Sequence, residues 1–189
     1  MPLNPLPTGH VGAVVTALTM TTRPKAEPLP ASGLSLEPWP DPDLDRYRAL
    51  FRRVGARWLW YSRLVMPDSE LRAALGEVHL VRDRDGGEVG LIELERGPDA
   101  CRVRFLGLVP EMTGRGHGRW LIGSALALAW QDGVEQVELY TCSLDHPAAM
   151  PAYLRAGFAA VSRSFESFPD PRLTGHLPKD CAPQVPLVG

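Results

Sequence analysis

The chain carries no large excess of charge of either sign: 22% of its 189 residues are charged and the formal net charge is −2. It therefore lacks the strong basic field that would recommend nucleic acid as a partner. Long hydrophobic runs are missing too. The longest, Trp120 to Trp130, falls far short of the roughly 20 residues needed to cross a bilayer, so no membrane partner is expected. The amino terminus has no basic start followed by an apolar core, which argues against a secretory leader. Cysteine is scarce. Cys101, Cys142 and Cys181 form no metal-binding spacing and leave an odd thiol in any disulfide scheme. No metal site is expected, and a reduced, cytoplasmic protein with buried, inert thiols is the default. Internal repeats are also absent.

What is present suits one domain with a sizeable core. Gly9 to Met20, rich in Val, Ala and Thr, reads as a strand, and Thr21 to Ser32, with three prolines, as a connection. Leu34 to Trp39 is a second short strand. From Asp41-Pro42 the period changes, and Leu44, Tyr47, Phe51 and Val54 share one face of a helix. Ser69 to Leu75 predicts a short helix. Glu77 to Arg82 and Glu88 to Glu95 predict strands around a hairpin at Asp85-Gly86-Gly87. Cys101 to Val109 is a third strand, with Cys101, Val103, Phe105, Gly107 and Val109 on one face. A helix apolar nearly all round runs from Gly116 to about Gln131, which implies burial against a sheet. Val134 to Cys142 is a strand, Asp145 to Phe158 holds a short helix, and Ala159 to Phe168 a last strand before a proline-rich tail.

The turn Gly114-Arg115-Gly116-His117-Gly118 lies at the start of the long apolar helix. Glycines remove the β-carbons that would hold a ligand off the backbone. The first N–H groups of the helix are unpaired and carry partial positive charge, which makes the turn a natural phosphate site. Arg115 and Arg119 add charge suited to phosphate. Gly118-Arg119-Trp120 is not the Gly-Lys-Ser/Thr of a nucleotide triphosphatase loop. The G-x-G-x-G spacing is not that of a dinucleotide fingerprint either.

The run from Phe105 to Phe158 resembles the GNAT superfamily of acyl-CoA-dependent N-acyltransferases, over roughly the last two thirds of the chain. Thr113 to Gly118 fits the family's R/Q-x-x-G-x-G/A pattern, with Thr113 in place of Arg or Gln, and Ala149, Tyr153, Gly157 and Phe158 match its second motif. The resemblance implies an α/β (α+β) fold: a mixed, mostly antiparallel central sheet flanked by helices, here with an extra N-terminal strand or arm. It divides the chain into an arm and connection at 1–33, a GNAT-like domain at 34–168 and a tail at 169–189. It implies acetyl-CoA as co-substrate, the backbone of Leu108 and Val109 holding the pantetheine arm as an added strand, and Gly114, Arg115, Gly116, His117, Gly118 and Arg119 around the pyrophosphate. Tyr153 falls where the family's tyrosine protonates the departing thiolate, a role that suits a neutral phenol. A packed aromatic is the plainer use of that ring.

The general base is harder to place. The usual position falls on Arg102, which cannot accept a proton. Glu93 and Glu95, on the neighbouring strand, are the next candidates and Glu111 a third. A water chain would serve instead, as would an acceptor of low pKa: an α-amine titrates at about 7.7–8.0 against about 10.4 for lysine. Asp145 is placed to cap the following helix. Trp58, Trp60 and Tyr61 either pack in the core or line an acceptor pocket. The expected activity is acetyl transfer from acetyl-CoA to a primary amine, small-molecule or peptide, by direct attack in a ternary complex. A non-catalytic acyl-CoA-binding regulatory module is the alternative. The acceptor's identity is not legible, and a homodimer is left open.

Overall fold

Strands whose burial alternates along the chain and strands buried on both faces both contribute to the sheet. A computed structural model describes residues 3–25 and 27–189. In chain order the elements are β1 (His10–Met20), β2 (Ser35–Pro38), α1 (Leu44–Gly55), α2 (Ser62–Val65), α3 (Asp68–Ala74), β3 (Glu77–Arg82), β4 (Glu88–Arg96), β5 (Ala100–Leu108), α4 (Gly118–Ala129), β6 (Gln136–Cys142), α5 (Ala149–Arg155) and β7 (Ala159–Pro169). The seven strands form one sheet in the order β2-β3-β4-β5-β6-β1-β7, antiparallel except where β5 meets β6. This is the mixed, mostly antiparallel sheet with flanking helices that the resemblance implies.

The N-terminal strand is present, but it is no appendage to the sheet. It runs between β6 and β7, pairing antiparallel with both, Val15 opposite Cys142 on one side and Ser164 on the other. Its Val11, Ala13, Leu18 and Met20 are buried. Sequence alternation showed that a strand forms there; which strands it joins depends on partners far along the chain, from Val137 onward.

β5 and β6 pair only from Ala100–Gln136 to Val103–Leu139 and then diverge. A register shift opposite Glu93/Leu94 leaves Arg104 unpaired as a bulge, since Glu93 faces Phe105 while Leu94 faces Val103. A bulge bends its strand and increases its twist. It also reverses the alternation, so Cys101 to Val109 do not share the single face that a strict period of two predicts. Phe105 turns to α1, edge-on to Phe51 at 4.8 Å between centroids. The remainder of β5 is left open towards β6.

Helix α1 starts where Asp43 accepts the Arg46 amide at 2.9 Å, a side-chain cap three residues from its partner. Its Leu44, Tyr47, Leu50, Phe51 and Val54 lie against the sheet. The tail after β7 has no regular element but is packed. Asp170 and Arg172 are each 2% exposed and paired at 2.7 Å, and Arg172 donates to the carbonyls of Ala182 and Val185 at 3.3 and 2.8 Å. Among the described residues no helix is long and apolar enough to cross a membrane.

Candidate active site

The divergence of β5 and β6 opens a cavity of about 670 Å³. Its floor is formed by β5 from Val103 to Leu108 and by β6 from Leu139 to Cys142. The glycine turn and the loop carrying Trp58, Trp60 and Tyr61 also line it.

At the turn, Gly114 and Gly116 have φ of +77° and +84°, a region that favours glycine. A Cβ added at Gly114, Gly116 or Gly118 would meet nothing within 4 Å, so the space over their amides is open. The first helical bond of α4 runs from the Leu121 amide to the His117 carbonyl at 2.9 Å. The amides of Gly118, Arg119 and Trp120 precede it and have no helical acceptor. Such a cradle fits a diphosphate. Gly114, Gly116, His117 and Gly118 line the cavity, whereas Arg115 and Arg119 do not; Arg119 is exposed, 3.5 Å from Glu27.

Leu108 lines the cavity and Val109 does not. The Val109 amide donates to the Val89 carbonyl at 2.8 Å, and its own carbonyl accepts from Met112 at 3.0 Å. Its backbone is therefore occupied, and the free edge for an added strand ends at Leu108.

Tyr153, on α5, lines the cavity with its ring edge-on to Phe158. Burial, and secondarily the nearby Asp145 charge, pushes its phenol far above the ordinary tyrosine value, so it stays protonated at neutral pH. Asp145 does not cap α5, whose cap residue is Ala148 without a side-chain bond. It folds back on β6, accepting from Thr141 Oγ1 and the Cys142 amide at 2.8 Å each and from Trp60 Nε1 at 3.4 Å. Asp145 thus closes the end of β6 rather than the start of α5.

Neither Glu93 nor Glu95 reaches the cavity lining, nor does Glu111. Glu93 is fully buried beneath it, ion-paired to the equally buried Arg63 and hydrogen-bonded by the Tyr47 hydroxyl. Arg63 also donates to the Ala74 carbonyl at 2.9 Å, so this carboxylate holds α2 and α3 against β4. Glu95 accepts from Arg104 at 2.8 Å and from Arg102 at 3.4 Å at the surface. Period-two counting rightly puts the two on one face of β4, but it does not show that Tyr47, Arg63, Arg102 and Arg104 already occupy them. Arg102 itself reaches Glu138 at 3.0 Å.

The aromatic loop both packs on the core and lines the cavity. Trp60 packs on Phe51 and Phe105 at 5.5 and 5.2 Å, Tyr61 stacks on Phe168 at 4.6 Å, and Trp58 meets His146 edge-on, while all three line the cavity. Sequence reasoning missed the contribution of β7. Glu166 and Phe168, two apart and thus on one face, both line the cavity. That alternation was readable, but not which way the face points. Among the described residues, no group of three or more His, Cys, Asp or Glu side chains is arranged to hold a metal ion.

Residues 34–158 match the Acetyltransferase (GNAT) family. The splayed sheet and glycine-headed helix are the frame this family shares, and the chain belongs to it. Among curated proteins it is similar to the mycothiol acetyltransferase of Clavibacter michiganensis subsp. michiganensis, 32% identical over 136 residues, or 69% of this chain and 44% of that protein. The mycothiol acetyltransferase of Clavibacter sepedonicus is 30% identical over 132 residues, 67% and 43% of the two chains. The chain thus spans less than half the length of these relatives. In fold it resembles a GCN5-related N-acetyltransferase from Sphaerobacter thermophilus, with TM-score 0.58 and 18% identity over 82% of this chain and 51% of that one. It also resembles the spermidine N-acetyltransferase of Vibrio cholerae solved with CoA and spermine, with TM-score 0.54 and 19% identity over 72% and 96%.

Proposed function

We propose that this protein is an N-acetyltransferase that carries an acetyl group from acetyl-CoA to a primary amine, small-molecule or peptide. One observation carries the reading: the gap between β5 and β6, the open glycine turn and Tyr153 all face a single cavity. Acetyl-CoA supplies an activated thioester. Its diphosphate suits the amides at Gly114 to Trp120, and its extended arm suits the free edge of β5 ending at Leu108. The amine attacks directly, and the Tyr153 hydroxyl protonates the departing sulfur. A catalytic role is favoured over a purely regulatory acyl-CoA-binding one because a neutral phenol in the cavity is what a departing thiolate needs. The protein would act in the cytoplasm.

Acetyl-CoA should raise the melting temperature of the wild type, because a ligand selective for the folded state stabilises it. Gly116→Val fills the space over the amides and strains the turn by about 1–3 kcal/mol. The variant should still unfold cooperatively in the absence of ligand, and its acetyl-CoA shift should vanish. No binding to the wild type in calorimetry at millimolar ligand would end the reading.

A further inference from the structure

Glu166 pairs with Ala13 across β7 and β1, and the strand alternation points it into the cavity beside Phe168. No hydrogen-bond donor or cation among the described residues engages its carboxylate. The other charged groups of the lining are already committed. Arg104 is bound to Glu95 at 2.8 Å, and both Asp145 oxygens accept protein hydrogen bonds. The titratable groups facing Glu166 come from three elements: Asp145 before α5, Cys142 on β6 and Tyr61 in the aromatic loop. Burial, with help from the carboxylates, pushes Cys142 up to about 11. Burial, then Glu166, also raises Tyr61. Both stay neutral near pH 7. The acceptor end of the cavity therefore presents two carboxylates and aromatic faces to whatever enters, an environment matched to a cation.

We infer that Glu166 is the proton acceptor of the reaction, and that the substrate is an ammonium whose apolar body lies against Trp58, Trp60 and Tyr61, with no carboxylate beside the amine. This rests on the acyltransferase reading and deepens it. The ammonium gives one proton to the Glu166 carboxylate, freeing its lone pair. The nitrogen–carbon bond forms as the carbon–sulfur bond breaks, and the sulfur takes a proton from Tyr153. The second nitrogen proton restores the tyrosine, and the proton on Glu166 leaves to solvent, so one proton is released per turnover. Burial and the fixed Asp145 charge both lift the Glu166 carboxyl above its ordinary value, which makes it a better base than a solvated glutamate.

The probe is phenethylamine with acetyl-CoA, read as free thiol release. Wild-type kcat/KM on total amine should be level between the titration of Glu166 and that of the amine, because carboxylate and ammonium together are the reactive pair. Glu166→Gln should lower the plateau on the order of 10²-fold and replace it with a slope of about tenfold per pH unit, since only free amine then reacts. Glu166→Asp should keep the level region at reduced kcat. Phenylalanine, which adds a carboxylate beside the amine, should be turned over at least about tenfold less well. A level region retained in Glu166→Gln, or phenylalanine preferred, overturns the inference. No turnover of phenethylamine also overturns it, and if acetyl-CoA still shifts the melting temperature, the acyl-CoA site itself stands.

Discussion

At the scale of single residues, the cavity separates two tyrosines by what surrounds them. Tyr47 is locked to the buried Glu93, whereas Tyr153 faces the cavity beside a fixed carboxylate. Both phenols are raised above the usual range, first by burial, yet only Tyr153 has room for a reacting group. Tyr153→Phe keeps the ring against Phe158 and removes only the hydroxyl. Turnover should fall on the order of 10²-fold, with acetyl-CoA affinity unchanged in a parallel titration. A thiol of pKa about 8.5 leaves without help more readily than an alkoxide, which sets the effect at the low end of general-acid contributions. Turnover equal to wild type would return Tyr153 to packing. Tyr153 was legible because its spacing from Gly157 and Phe158 is a sequence property. Glu166 was not, because its role depends on which way β7 faces.

Among the elements, the segment after β7 differs most from its composition. Prolines prevent regular structure there, yet Arg172 ties the segment together through Asp170 and two carbonyls, and Gln184 reaches the Arg57 carbonyl at 2.6 Å. That last contact braces the loop bearing Trp58. Burial pushes the Asp170 carboxyl up, but the hydrogen bonds and charge of Arg172 outweigh it and hold the group below the ordinary aspartate value. A depressed carboxyl contributes stability above its unfolded pKa and loses it as pH falls through the folded value. Asp170→Asn leaves a guanidinium buried without its partner, which costs about 3–5 kcal/mol. Denaturant melts should show that loss at pH 7, and a shrinking difference from wild type below pH 4. A gap constant with pH would detach Asp170 from the effect. Sequence pattern found the strands and helices of more than four residues, most ends to within about two positions, though α5 starts at Ala149 rather than just after Asp145. It missed what depends on long-range partners: the bulge at Arg104, the folding back of Asp145 and the packing of this tail.

For the whole molecule, the location of β1 decides what can fold alone. A boundary at residue 33 would remove the strand that joins β6 to β7. It would also remove the buried Val11, Leu18 and Met20, worth about 1.5–3 kcal/mol each, a sum comparable to a typical net stability of about 5–15 kcal/mol. We propose that residues 1–33 belong to the same folding unit as the rest. A chain beginning at residue 34 should show no cooperative thermal transition and no acetyl-CoA shift. Recovery of both would restore the arm to an appendage.

The same placement has a temporal side. The Val14 amide bonds the Ser143 hydroxyl across 129 positions of chain. At about 5–20 residues per second on the ribosome, the first strand emerges roughly 6–26 s before that neighbour is even synthesised. Throughout that interval its Val- and Thr-rich edges are exposed with no native mate, open to pairing with other chains. A strand made well before its partners is among the last to find its place, so the yield of soluble protein should depend on how crowded the nascent chains are.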